Sequence, residues 1–299
     1  MRYIQSFNTE SDVQNALSDG LMDKPYVAYI EQDDIIDWNT KDKVNYRNIP
    51  LTFNIISAGT IAWFAPSTQA SKTIQYSLND GEWTSITATD SETYINVEAG
   101  DVIKFRGDNA AYGGDYGYSS FYSSTAKFDV EGNIMSLIDS TGYTTAETLT
   151  GDRNFSSMFS NTHINSAENL VLPATALTEM CYSQMFISSK IIKAPKVIGT
   201  SNMTLESNSC NYMFGYCTGL TSSPELPAAT LASRCYQSMF EGCENLNNVK
   251  CLATNISASN CTVNWLYGVA QSGVFTKKSG VNWPDGYDGI PTGWTVIEE

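Results

Sequence analysis

The pair Met-Phe recurs four times at a spacing that leaves few folds open. It stands at Met158-Phe159, Met185-Phe186, Met213-Phe214 and Met239-Phe240, at offsets of 27, 28 and 26 residues. Around each pair the context repeats. Leu177, Leu205 and Leu231 stand four or five residues ahead of Cys181, Cys210 and Cys235. Gly215-Tyr-Cys217-Thr-Gly-Leu220 matches Glu241-Gly-Cys243-Glu-Asn-Leu246, and Leu172-Pro173-Ala-Thr matches Leu226-Pro227-Ala-Ala-Thr. A period in the twenties implies a solenoid, in which each turn hides its apolar face only against its neighbours. Met, Phe, Leu and Cys at matching positions would then stack into ladders along its interior.

All seven cysteines (181, 210, 217, 235, 243, 251 and 261) follow this repeat in the last 120 residues. Their number is odd and their shortest gap, Cys210 to Cys217, is too wide for a C-x2-C zinc pair. Neither a disulfide framework nor a metal site fits that pattern. Small buried hydrophobes do. The single histidine, His163, excludes any mechanism that needs two.

The unit from Leu226 to Leu246 resembles the BspA-like leucine-rich repeat. That family's pattern of an aromatic, two residues, Cys, two residues and Leu is met by Phe214, Cys217 and Leu220, and by Phe240, Cys243 and Leu246. The tail from Cys251 through Trp265 to Trp294 is similar to the family's closing segment. The resemblance spans residues 150–299. It implies a fold and a habit of binding, common in surface proteins of gut bacteria and in proteins of their phages, and it implies no reaction. One unit departs: Lys193-Ala-Pro195-Lys-Val-Ile-Gly-Thr replaces the Leu-Pro-Ala-Thr opening, so positions 187–209 are expected to bulge from the stack.

A solenoid needs capped ends. Ser257-Ala-Ser-Asn260 offers N-caps for a helix to about Ala270, with Trp265, Leu266 and Val269 on one stripe. Strands at Val274 and Trp294 are joined by the turn Trp283–Gly289, whose Asp285 and Asp288 are too few for calcium.

From Ile49 to Ile138 the texture is β. Short alternating runs such as Thr73-Ile-Gln-Tyr-Ser-Leu and Val102-Ile-Lys-Phe-Arg surround an Asn79-Asp-Gly hairpin signal, which predicts an antiparallel sandwich. Within it, the loop 112–122 gathers Tyr112, Tyr116, Tyr118, Phe121 and Tyr122 among Gly and Ser. Paratopes use such a composition for contact, and exposed aromatics stack on sugar faces, so these five are the candidate ligand contacts. The competing expectation is that the rings pack on the sandwich or on a neighbouring subunit.

Residues 1–48 predict a helix from Thr9 or Ser11 to Leu17, then strands at Tyr26–Ile30 and Ile35–Asn39. A unit this small owns no core, and so should dock on something larger or trimerise. Tyr3-Ile-Gln-Ser-Phe7, with Lys24-Pro-Tyr-Val-Ala-Tyr-Ile30, resembles the leader of virion proteins in gut phages, the crAss-like group included. That resemblance implies attachment to the particle, through Tyr3, Phe7, Tyr26, Tyr29 and Trp38.

The expected architecture is therefore multidomain and mainly β. It comprises a small α/β N-terminal anchor (1–48), an antiparallel β-sandwich (49–138), a leucine-rich-repeat-like solenoid (139–250) and a C-terminal cap (251–299). A net charge of −15 opposes nucleic-acid binding, and no apolar run approaches a membrane span. The N-terminus turns polar before any signal-peptide core forms. The expected function is a phage virion structural protein (head fibre, capsid decoration or tail-associated), made in the host cytoplasm and displayed on the particle exterior. It would bind without catalysis, cofactor or metal. The expected partners are phage capsid or tail proteins, further copies of itself, with a trimer favoured, and a host surface glycan. A bacterial surface adhesin is the alternative. A glycan hydrolase would need a marked pair of carboxylates, and none stands out.

Overall fold

Alternation of apolar and polar residues sets the inside and outside of the strands over residues 49–138. Strand positions are occupied in the computed structural model, which describes residues 35–37, 42–91, 93–115 and 117–299. The expected helix at 9–17, the strand at 26–30 and all five attachment residues, Tyr3, Phe7, Tyr26, Tyr29 and Trp38, lie outside the described residues. The first described pairing joins β1 (Ile35–Asp37) to β2 (Asp42–Val44), antiparallel, with Ile35 opposite Val44.

Nine strands follow in the middle region: β3 (Leu51–Ser57), β4 (Gly59–Ala62), β5 (Thr73–Leu78), β6 (Thr84–Thr87), β7 (Tyr94–Val97), β8 (Val102–Arg106), β9 (Gly113–Gly114), β10 (Gly117–Tyr118) and β11 (Lys127–Asn133). Five of them form an antiparallel run in the order β11-β3-β8-β5-β6, while β4 pairs with β7 separately and β9 with β10. The β5–β6 hairpin turns at Asn79 and Asp80, both at positive φ (51° and 57°), which suits the twist of the flanking strands. Asn79 then braces β8, its Nδ2 donating to Asp101 and its Oδ1 accepting from the Val102 amide.

The sheet does not stop where the repeats begin. β11 pairs antiparallel with β3 on one edge and parallel with β12 (Ile164–Val171) on the other. The core is equally continuous. The Phe53 ring centroid lies 4.4 Å from Phe128, 4.8 Å from Phe121 and 6.1 Å from Phe159. Asn133, wholly buried, ties the junction by donating to the carbonyls of Arg47 and Tyr143 and accepting from the Met135 amide. At Gly132 a side chain would strike the Pro50 carbonyl at 2.2 Å, and φ is +83°. Only glycine fits there.

Beyond β12 the chain climbs in coils. Their strands, β13 (Ser222–Leu226), β14 (Asn248–Cys251), β15 (Val274–Lys277) and β16 (Thr295–Glu298), pair parallel in sequence order. The opposite wall of each coil is a run of turns with its own hydrogen-bond rule. Alternate amides point to the next coil: Phe155 N donates to Cys181 O, Ser157 N to Ser183 O and Phe159 N to Met185 O, at 2.8–3.0 Å. The amides between them donate three residues back, as Met158 N does to Phe155 O. The pattern recurs from the second coil to the third, the third to the fourth and the fourth to the fifth. In the second, third and fourth coils the amides of Met180–Ser189, Asn208–Cys217 and Arg234–Cys243 are all paired in this way, without helix or regular strand.

That path requires a left-handed residue at every fourth position. Arg153, Ser157 and Asn161 have positive φ, as do Met180, Gln184 and Ser188, and the corresponding residues of the later coils. Between them adjacent side chains turn inward in pairs, as Cys181 with Tyr182 and Met185 with Phe186 do. Phe159, Phe186, Phe214 and Phe240 stack face to face, centroids 5.2, 5.2 and 5.6 Å apart.

Two expectations are corrected. Residues 257–270 form no helix. Helix is only 4% of the structure, in the 3-10 turns Tyr46–Asn48, Thr68–Ala70 and Ile134–Leu137, and the segment is one more coil of turns. Its polar start suits a left-handed Asn260 and Asn264 as well as an N-cap, and receiving amides from the fourth coil decides between them. Nor do residues 187–209 bulge. Ile191, Ala194, Ile198, Met203 and Leu205 are buried, and Ile192 N donates to Asn165 O while Ile198 N donates to Glu225 O. Pro195 lacks an amide, so the strand shrinks to isolated parallel bridges (Ser166 with Lys193, Val197 with Glu225) without leaving the register.

Candidate functional site

The aromatic loop 112–122 divides. Tyr112 and Phe121 are wholly buried and cannot meet a ligand in the folded chain, which removes them as contacts. Their role is to close the stack. Tyr112 N donates to Asn154 O and Phe121 N to Met158 O. Their rings lie over Phe155 (6.2 Å, 18°) and Phe159 (5.8 Å, 7°), as a preceding coil would. The Tyr112 hydroxyl is satisfied internally, donating to Leu137 O at 2.6 Å and accepting from Asn109. Burial pushes its pKa well up. An end rung left wet would cost the burial of two rings, which explains why this loop is aromatic. Tyr118 and Tyr122 are half-buried, the latter 5.6 Å from Phe64. Tyr116 lies outside the described residues.

The thiols are equally committed to the interior. All seven are free and buried, and burial raises the pKa of each, to about 12 for Cys217 and Cys251. Cys217 and Cys243 occupy one column and donate to the Phe186 and Phe214 carbonyls, each at 3.0 Å. Thr162, at the matching position of the first coil, instead donates within its own coil, to Phe159 O at 2.8 Å. A thiol this hard to ionise is a poor nucleophile or ligand. Among the described residues, no three His, Cys, Asp or Glu side chains converge on a metal-sized space. His163 is exposed and bonds the Thr125 carbonyl. Asp288 is part of the turn, accepting from the Asn264 amide at 2.7 Å.

A different aromatic group faces solvent. Tyr216, Tyr267 and Tyr287 are 47%, 51% and 55% exposed, on the third coil, the fifth coil and the closing turn. Tyr216 is held from two sides. Its hydroxyl donates to Glu241 Oε1 at 2.7 Å. Its ring lies on Gly242, where a Cβ would sit 2.5 Å from ring carbon Cδ1. The bond to Glu241 raises the phenol pKa to about 12, so it stays a donor. Tyr267 and Tyr287 meet edge to face at 5.0 Å. The turn carrying Tyr287 is pinned to the fifth coil: Leu266 N donates to Tyr287 O, Thr262 Oγ1 to Asp288 O and Trp265 Nε1 to Gly289 O. The linear sequence hides this group, because 216, 267 and 287 share no local motif. Aligning coils would have placed 216, 242 and 268 in one column, with glycine at the last two.

No protein-family model, curated protein or solved structure matches the chain. Among the described residues no helix is long and apolar enough to cross a membrane.

Proposed function

We propose that this chain is a structural protein of a phage particle: a head fibre, capsid decoration or tail-associated protein. Residues 1–48 attach it, a β-sandwich over 49–138 spaces it, and a leucine-rich-repeat-like solenoid with its C-terminal cap is presented outward for adhesion to a host surface or its glycans. The observation that carries this reading is the ladder of stacked rings and buried thiols that fills the coils. It makes a stiff scaffold whose polar chemistry is spent on its own backbone, so its surface is suited to contact. The virion part rests on the leader and repeat resemblances. Many copies on one particle would multiply a weak contact through effective concentration, and the −15 charge would keep crowded copies apart.

The test is mass spectrometry of purified particles beside a variant lacking residues 1–45. The full chain is expected on particles, and the truncated chain is expected to fold with unchanged cooperativity yet be missing from them. Particles lacking the full chain would overturn the reading, and truncated chain on particles would overturn the anchor.

A further inference from the structure

We propose that the exposed shelf framed by Tyr216, Tyr267 and Tyr287 is a binding site for a neutral polysaccharide. This deepens the adhesion reading above and rests on it.

Three observations point to that ligand. First, the rings are set before any ligand arrives. Tyr216 is fixed by Glu241 and by the bare backbone of Gly242, and Tyr287 by a turn bonded to the fifth coil. Fixed rings bind with little loss of side-chain freedom. Second, the floor between them is open. Gly268, one coil beyond Gly242, would place a Cβ no closer than 3.5 Å to anything, and what it meets is only Gly242 backbone. The Tyr216 ring covers Gly242, so with strand-like coils ~4.8 Å apart the uncovered floor is the single step at Gly268 beside that ring, about the width of one pyranose. Third, the surroundings are polar. Glu244, Asn245, Asn264 and Asp288 are exposed around it, and the large apolar residues exposed on these elements are the tyrosines themselves. An obligate protein interface would add contiguous aliphatic area to such rings. Phenol faces within a hydrogen-bonding rim instead match a sugar, whose C–H face is apolar and whose edge is hydroxyls. The carboxylates of Glu241, Glu244 and Asp288 repel anionic polymers, which favours a neutral chain over an acidic one.

The test is affinity electrophoresis of the full chain in gels containing mannan, mixed-linkage β-glucan or xyloglucan, with polygalacturonate as the anionic comparison. Retardation is expected with at least one neutral polymer and not with polygalacturonate. Tyr267→Ala and Tyr287→Ala should each weaken it about tenfold. Gly268→Asn keeps every ring and a left-handed backbone that Asn accepts, and should weaken it by blocking the floor. Tyr94→Ala, an exposed tyrosine on β7, should leave retardation unchanged. Retardation that survives all three shelf variants would overturn the site while leaving glycan adhesion standing. No retardation in any neutral gel would overturn the polysaccharide, and particle incorporation would still test the virion reading separately. If Tyr287→Ala instead converts a dimer seen by light scattering to a monomer, the shelf is a contact between copies and the proposal fails.

Discussion

The middle region and the coils solve one problem in two ways. Over residues 49–138 the core is made by alternation along strands that pair antiparallel with partners distant in sequence, as β3 does with β8 and β11. In the coils it is made by translation, each side chain meeting its counterpart one repeat later. Backbone cost differs accordingly. Of the non-glycine residues at positive φ among the described ones, three (Asn79, Asp80, Ser123) belong to the middle region and thirteen to the coils. Each such residue other than Asn or Asp is strained by ~1–2 kcal/mol, and the coils tolerate this because the left-handed steps leave amides free to bond the next coil. Regular sheet needs no such strain but needs the right partner, which only folding brings. The two solutions meet at Phe53, Phe121 and Phe159, where one core serves both.

The largest effect should come from breaking that meeting point. Phe53→Ala is expected to cost about 3–5 kcal/mol and to lower the stability of both regions together, because Phe53 touches rings from each. Phe214→Ala, in mid-ladder, should cost a similar amount but act first on the coils. Urea unfolding followed by Trp63 and Trp265 fluorescence in single-tryptophan versions would separate the two. Coincident transitions for Phe214→Ala would mean that the regions unfold as one unit.

A second expectation concerns alkali. A thiol whose folded pKa is raised contributes stability that is complete below its ordinary value of 9.0 and is lost as pH climbs toward the folded value, about 12 for Cys217 and Cys251. Each thiol then costs about 1.4 kcal/mol per pH unit above its unfolded value. The coils should therefore unfold between pH 9 and 12, seen by far-ultraviolet circular dichroism. The middle region has no cysteine, and there burial raises the phenols of Tyr112 and Tyr118 instead. At pH 7.5 iodoacetamide should label none of the seven thiols until denaturant is added.

The smallest effect tests the left-handed steps. Gln184 is exposed at φ 57°, so Gln184→Gly should stabilise by about 1 kcal/mol, and Gln184→Val should destabilise by a similar amount. Equal melting temperatures for the two would show that the turn run does not require its positive φ.

Much of this was legible in the residues. The offsets of 27, 28 and 26 between Met-Phe pairs predicted stacked side chains, and Phe159, Phe186, Phe214 and Phe240 do stack. The Asn-Asp-Gly turn and the alternation of β8 likewise specified a hairpin and a buried face. The polar start at Ser257–Asn260 misled, because Asn and Ser serve an N-cap and a left-handed turn alike, and nothing local separates them.

What the linear chain determined, then, was every relation that depends on period: which side chains form ladders, where the thiols go, which runs alternate. What only the tertiary structure decided was every relation between unlike segments. Tyr112 and Phe121 became an end cap because the first rung beside them needed covering, and β11 passed its free edge to β12. Tyr267 and Tyr287 met edge to face because the closing turn docks on the fifth coil, and Tyr216 reached Glu241 and Gly242 of the coil after its own. Periodicity fixes spacing along an axis, whereas contact between different elements depends on their docking in three dimensions, which no local pattern encodes.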